Sequence, residues 1–435
     1  MILLPCCIQA QLLKVLPVAS ARRMVLKEVS TLVAPTRRSS VAQRRAHLFV
    51  DVSVFSKQDA GTGIQRVVRE VMSHLFKHPA GSFIVVPIAA DKHRQFRTVA
   101  YGLGAADDVR SVVGKAVVPV KGDVFLGLDL AAHLLPHHFS ELLRWKRTGV
   151  SIQMVVYDLL PALRPDWFNP KAAKNFGEWL KVLAIFVDRF HCISNTVKSE
   201  LVRWFQTQYA VALDDQIVSV FPLGSNLSAV KVGSPAVALR QPAHHDALAF
   251  AQRHPTALMV GTIEPRKGHA DVISAFLELW RQGSSLQLIL VGTPGWKTEA
   301  LQQVLADAAA TTRRLLWLQD ADDSLLVQLY QTATGVLVAS KGEGFGLPLI
   351  EAAFYGKPVL ARDIPVFREV ARGDVTFFPD LPNGGLTAHT LAAWFESCAK
   401  PRLVPPDFPS NQLPDWATTT KVLLDNTGLT SDLFN

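Results

Sequence analysis

Between residues 47 and 224, short runs of Val, Ile, Leu and Phe alternate with stretches whose apolar positions recur every three or four residues. Leu48–Val52 reads as a buried strand. After a polar, Gly-containing loop, Ile64, Val67, Val68, Val71, Met72 and Leu75 fall at the spacing of one helical face. Further buried strands are expected at Phe83–Val86, Val124–Leu128, Ile152–Tyr157 and Phe190–Ser194, with helices such as Lys171–Val187 and Val197–Phe205 between some of them. Apolar strands alternating with helices predict a parallel sheet covered on both faces. A second cycle follows: strands at Leu258–Val260, Leu286–Val291, Leu315–Leu318 and Val336–Ala339, a helix face of Ile273, Phe276, Leu277 and Trp280, and a helix at Leu325–Tyr330. Ser228–His254 is rich in Ala, Pro and His and lacks sustained periodicity, which suggests a linker. The expected organisation is a leader (1–46), an N-terminal Rossmann-like domain (47–235), a linker (236–256), a C-terminal Rossmann-like domain (257–410) and a closing helix (411–435) that returns to the N-terminal domain. In such sheets, ligands bind at the carboxyl ends of the strands.

With 435 residues, 49% of them hydrophobic and 19% charged, the chain can bury two or three cores and is too apolar for disorder. Its formal charge of +8 suggests a polyanionic partner until the charge is located. The first 46 residues hold eight basic side chains against the single acid Glu28, so the body is close to neutral. With no basic run or recognisable nucleic-acid-binding signature in the body, nucleic acid is excluded as a partner. Cys6, Cys7, Cys192 and Cys398 have neither disulfide-framework nor zinc-ligand spacing, so a reducing, cytoplasmic compartment is expected. Met1–Val18 is interrupted by Gln9, Gln11 and Lys14, too short and broken to span a membrane. Arg22-Arg23 has the look of an export signal, but the apolar stretch that follows is too short. The leader is expected either to be a disordered tail, with Met24 available as a later start, or to rest on anionic lipid head groups at the inner face of a membrane.

The chemistry concentrates in Ser340-Lys341-Gly342-Glu343-Gly344-Phe345-Gly346-Leu347-Pro348-Leu349-Ile350-Glu351-Ala352, between a strand and a helix. Gly344 and Gly346 allow close backbone approach, and Pro348 suits the first helical turn. Amides around Phe345 to Leu347 at the positive end of a helix would favour a diphosphate. Glu343, before the turn, and Glu351, one helical turn in, could reach opposite ends of one extended ligand. The same residues also describe a capped strand-to-helix junction with two incidental acids.

This stretch resembles the Glu-x7-Glu signature of the family 4 retaining glycosyltransferases of GT-B fold. Gly261-Thr262-Ile263-Glu264-Pro265-Arg266-Lys267-Gly268 resembles that family's turn after the first strand of the donor domain, and Arg362–Val370 the segment after its signature helix. Gly61-Thr62-Gly63-Ile64-Gln65-Arg66 stands where the family has its Gly-rich first loop, and Tyr157-Asp158 where it has a strand-end acid or histidine. The likeness runs from about His47 to Leu424. It implies two doubly wound Rossmann-like α/β domains facing a central cleft, and transfer of a sugar from a nucleotide diphosphate sugar with retention at the anomeric carbon. It further implies that Glu343 binds donor-sugar hydroxyls, Glu351 the ribose, and Arg266 and Lys267 the diphosphate, with Gly344, Phe345, Gly346 and Leu347 at the donor. One departure is Thr262, where many relatives have arginine, which shifts the phosphate clamp toward Arg266 and Lys267.

Asp158 reads equally as a site acid or as a turn acid near Pro161, and Gly61 and Gly63 as donor- or acceptor-facing glycines or as a plain strand-to-helix turn. Asp320-Ala321-Asp322-Asp323 has the spacing of a metal motif but stands where acids start a helix. His133, His137 and His138 have no evident acid to complete a metal site and are expected in a surface turn around Pro136. No cofactor or metal is therefore expected. Gly61–Arg69 is similar to the same region of bacterial transferases that build mannose- or rhamnose-containing surface polysaccharides, which makes GDP-mannose the first candidate donor and a glycan or lipid-linked saccharide the acceptor. A nucleotide-sugar epimerase of the same fold and a catalytically silent sugar-nucleotide binder are the alternatives.

Overall fold

The computed structural model describes residues 4–32, 44–57, 59, 61–77, 83–100, 113–225, 242–382, 385–399 and 413–429. These divide into two units, Met1–Leu223 with Trp416–Asn435, and Gly224–Asp415. The first carries an eight-stranded sheet of β1 (Ala46–Asp51), β2 (Phe83–Ala89), β3 (Arg97–Val99), β4 (Val113–Ala116), β5 (Val124–Gly127), β6 (Ser151–Val156), β7 (Arg189–Cys192) and β8 (Val218–Val220). Their order is β4-β3-β2-β1-β5-β6-β7-β8. Among the described strands β3 alone is reversed, antiparallel to both of its neighbours β2 and β4, a feature the apolar pattern does not reveal. The second unit has six parallel strands, β9 (Thr256–Val260), β10 (Gln287–Val291), β11 (Leu315–Leu318), β12 (Gly335–Val338), β13 (Val359–Arg362) and β14 (Val375–Phe378), in the order β11-β10-β9-β12-β13-β14. Both sheets reverse winding direction beside their first strand, between β1 and β5 and between β9 and β12. Loops on either side of such a switch diverge and leave a crevice at the carboxyl edge.

The helix Gly63–Lys77 starts with a capping box. The Thr62 hydroxyl accepts from the Gln65 amide at 3.4 Å, and Gln65 Oε1 accepts from the Thr62 amide at 3.2 Å. Against its buried face packs the last helix, Trp416–Thr427, which belongs to the N-terminal unit. Gln153 Nε2 donates to the Thr427 carbonyl at 3.0 Å, and the Thr419 hydroxyl to the Pro222 carbonyl at 2.8 Å. The ring of His191 lies between Gln153 Oε1 and Ser219 Oγ, each at 2.8 Å. Burial drives its pKa down to about 3, so this polar strand position is filled by a neutral, fully bonded ring.

Two expectations are corrected. The leader is not a disordered tail over its described part: Cys6–Val15 and Val18–Leu32 are helices that pack on Phe139–Thr148 and Pro170–Phe186. Ala10, Leu13, Ala21 and Val25 are completely or almost completely buried there. The polar interruptions hid this face, and one of them holds it in place. Gln9 donates to Glu28 at 2.6 Å and accepts from Arg147, whose Nε lies 2.8 Å from Glu28 as an ion pair without the alignment of a hydrogen bond. Likewise, the proposed linker contains the helix Pro242–Arg253, which packs on Asp323–Thr332 and buries Ala247 and Ala251. Its apolar face is made of alanines, too weak a signal against the flanking Pro and His. The rest of that stretch, up to residue 241, lies outside the described residues.

Removing one partner of a buried ion pair leaves an uncompensated charge. Arg147→Ala should therefore destabilise the N-terminal unit by roughly 3–5 kcal/mol, measured by urea denaturation, while Lys14→Ala on the exposed side should change little. Equal midpoints for the two variants would show that the helical pair is not part of the cooperative unit.

Candidate functional site

In the C-terminal unit, the loops after β9 and β12 meet at the switch point, and their sequences hold them there. After β9 the chain makes the single-turn helix Pro265–Lys267 and then turns at Gly268, whose φ is +76°. A Cβ at Gly268 would come within 2.2 Å of the Ala339 carbonyl, so the close approach to the end of β12 requires glycine. The Lys341 amide returns a hydrogen bond to the Arg266 carbonyl at 2.7 Å. Gly346, at φ +105°, precedes the helix Leu347–Phe354 and faces the Phe367 ring, which would lie 2.7 Å from any Cβ there.

These turns bring Arg266, Lys267 and Glu343 into contact. Arg266 Nη1 donates to Glu343 Oε2 at 3.1 Å and to the Gly342 carbonyl at 3.3 Å, and Lys267 Nζ pairs with Glu343 Oε1. Arg266 Nε also donates to Glu264 at 2.9 Å. Burial alone would raise the Glu343 pKa, but Lys267 and Arg266 outweigh it, with Ser340 adding a hydrogen bond, and hold it at about 2. Glu264 shifts the other way, raised by burial against the pull of the same cations. The cluster is thus two cations shared by two carboxylates, with Glu343 ionised at any working pH.

Glu351 lies one turn along the helix, 2% exposed, and accepts from the Tyr330 hydroxyl at 2.6 Å. Tyr330 stacks on Tyr355 with ring centroids 5.5 Å apart. Beneath the loops, the completely buried Arg362 donates to the Ala339 carbonyl at 2.9 Å and pairs with Asp271 and, at 3.1 Å, with Asp380. Lys341 approaches the same Asp271 at 3.3 Å. Glu264, Asp271, Tyr330 and Arg362 hold the site together. Glu264 and Arg362 fall inside segments that carry the family resemblance, but the sequence assigns neither a role, and nothing in it singles out Asp271 or Tyr330.

In the N-terminal unit, Gly61 takes φ +66° just before the Thr62 cap, and Gly63 opens the helix. The Asp158 carboxylate accepts from the Leu160 amide at 2.9 Å, the geometry of a turn acid. Burial first, then the charge of Asp158, raises the neighbouring Glu200 to about 7. Asp322 caps Asp323–Thr332 by accepting from Leu325 at 2.8 Å, as expected of a helix-start acid. The three histidines do not share one surface turn. His138 is buried, 3.1 Å from Glu141 and 2.8 Å from the Asp91 carbonyl, so an acid does stand beside it, while His133 and His137 are exposed.

Residues 240–384 match the family described as glycosyl transferases group 1. The chain carries a group 1 glycosyl transferase domain. Over 343 residues, 78% of the chain, it is 37% identical to the serotype-specific mannosyltransferase WbdA of Escherichia coli and covers 40% of that protein. The O-antigen chain mannosyltransferase B of Escherichia coli is 34% identical over 138 residues, 31% of this chain and 35% of that one. The chain thus spans about two fifths of the length of WbdA. Anabaena HepE, solved in complex with UDP and glucose, superposes with a TM-score of 0.57 over 89% of this chain and all of that one, at 14% identity. The fold class is GT-B, built of two parallel-sheet Rossmann-like domains, as the sequence suggests.

The hydrogen bond from the Tyr330 hydroxyl helps to fix Glu351 in its buried setting. Tyr330→Phe should lower stability by about 1–3 kcal/mol, the usual cost when a buried polar group loses a hydrogen-bond partner, as read from a denaturant midpoint. An unchanged midpoint would mean that Glu351 is held by its other contacts alone.

Proposed function

We propose that the chain transfers a mannosyl group from a nucleotide diphosphate sugar, with GDP-mannose the first candidate, to a glycan or lipid-linked acceptor in surface polysaccharide synthesis. The observation that carries this reading is the meeting of Arg266, Lys267 and Glu343 at the switch point, with Glu351 buried on the adjoining helix. The similarity to Escherichia coli mannosyltransferases supports the choice of sugar. The epimerase and silent-binder readings find no counterpart among these relatives.

In the proposed reaction the bond from the anomeric carbon to the diphosphate oxygen breaks, and the acceptor oxygen bonds to the same face. The acceptor proton passes to the departing diphosphate. Negative charge grows on that diphosphate, and fixed cations stabilise it as it appears. Arg266 and Lys267 are already positioned by Glu343 and Glu264, so little reorganisation is required. Glu343 has oxygens for donor-sugar hydroxyls, and Glu351 for the ribose. With two cations on the leaving group, the reaction is proposed to need no metal.

The same reading places the protein on the inner face of a membrane. Among the described residues, no helix is long and apolar enough to cross one. The helix Cys6–Val15 instead presents Ile8, Leu12 and Val15 outward at 52%, 46% and 80% exposure, alongside Lys14, with Met24, Leu26 and Lys27 exposed on its partner. An apolar stripe flanked by cations complements an anionic lipid surface.

Two measurements test these proposals. Lys267→Ala should lower kcat about a hundredfold to a thousandfold with a much smaller change in donor KM, because the charge it meets develops only in the transition state. Wild-type turnover at saturating donor would move the catalytic role elsewhere. Replacing Ile8, Leu12 and Val15 together by Gln should leave the thermal midpoint nearly unchanged and reduce co-sedimentation with phosphatidylglycerol vesicles. Undiminished sedimentation would remove the stripe as the contact.

A further inference from the structure

The switch point of the N-terminal sheet has its own crevice, within that unit and built of none of the residues of the Glu343 cluster. Three loops line it: the one after β1 with Lys57, the one after β2 with Asp91, Lys92, His93 and Arg94, and the one after β5 with His133 and Leu134. They border an open crevice of about 630 Å³. Three permanent cations and two histidines thus face one acid.

That acid is already engaged. Asp91 accepts from the His93 and Arg94 amides, each at 2.8 Å, and approaches the Arg94 guanidinium only at 4.0 Å. Lys57 Nζ reaches just the Ala90 carbonyl at 3.4 Å, and among the described residues Lys92 makes no ion pair. The positive field is felt nearby. His133 is held below its ordinary pKa by burial and by Lys57, Lys92 and His137. His137 is lowered likewise, by burial and then by Lys92, His138, Lys14 and His93.

The loops are also fixed by buried groups rather than left to solvent. Asp129, at the end of β5, accepts from the Val54 and Phe55 amides at 2.7 and 2.6 Å and so ties the Lys57 loop to the His133 loop. Ser53 Oγ accepts from the Ala90 amide at 2.8 Å, and buried His138 meets the Asp91 carbonyl at 2.8 Å, which ties in the third loop. Holding like charges together in a prearranged crevice is unfavourable unless an anion completes it.

We propose that the crevice lined by Lys57, Lys92, His93, Arg94 and His133 binds a phosphate or diphosphate group. Flexible ammonium groups and imidazoles around an open cavity suit a tetrahedral polyanion better than a single planar carboxylate, which one forked guanidinium would satisfy. Resting on the transferase reading, the group would belong to the acceptor or to a membrane lipid beside it, and it would select acceptors that carry phosphate.

The test uses the full chain with Arg266→Ala and Lys267→Ala, which weakens any diphosphate binding in the other unit. Inorganic pyrophosphate titrated into this protein should bind and should raise the pKa of His133, followed by NMR, because an anion favours the protonated ring. Adding Lys57→Ala and Lys92→Ala, both on exposed side chains, should weaken pyrophosphate binding at least tenfold. Equal affinity with and without the two lysines, or no response at His133, overturns the proposal.

In the otherwise wild-type chain, the same two lysine substitutions separate the sources of the phosphate. If the acceptor supplies it, KM for a phosphorylated saccharide rises while KM for the donor and for a neutral saccharide stays the same. If a lipid supplies it, binding to phosphatidic acid vesicles falls instead. Pyrophosphate binding that depends on Lys57 and Lys92 in a wild-type chain without transferase activity would keep the anion site and overturn the transferase reading.

Discussion

Two cations and two carboxylates at one sheet edge are tolerable only if they neutralise one another at contact distance, and that requirement organises the carboxyl edge of the C-terminal unit. Glu343 comes from the loop after β12, and Arg266 and Lys267 from the loop after β9. Each loop is therefore the counter-ion of the other. The close turn at Gly268, the Lys341 amide bonded to Arg266 and the buried Arg362 below all keep that pairing in register. A clamp assembled in this way has its positive charge placed before any ligand arrives. Its cations are nevertheless not free, since a diphosphate must share them with Glu343.

The N-terminal unit solves the corresponding problem differently. Its switch-point loops are joined by Asp129, Ser53 and His138, which bond to backbone groups from buried positions. The side chains on the outer faces of those loops are left with like charge. One unit thus presents a neutralised cluster and the other an uncompensated one, a difference that the near-neutral total charge of the body conceals.

Much of this was legible in the sequence. Strand positions followed from continuous apolar runs, because a strand covered on both faces has no reason to alternate. The Glu343 and Lys267 loops stood out because close-approach glycines and charged residues together are uncommon in a core-forming segment. What stayed hidden has a common physical cause. Gln9 reads as an interruption, and Glu28 as a lone acid, because a buried polar residue is recognisable only through its partner, here Arg147, more than a hundred residues away in the chain. Tyr330 and Asp271 carry no signal for the same reason, and Arg362 stands in a family-like segment without a sign of its role. The helix Pro242–Arg253 was missed because alanines bury well between helices yet give little periodic signal.

The last helix has a consequence for how the molecule comes into being. Trp416–Thr427 completes the N-terminal unit, with Trp416 only 1% exposed. The stretch Gly224–Asp415 is continuous in the chain, whereas the unit that begins first lacks one of its walls until Trp416–Thr427 is available. During synthesis from the amino end, the later unit therefore has all its parts before the earlier one does. The early sheet must wait with the face of Gly63–Lys77 uncovered, exposed to chaperones or to wrong partners.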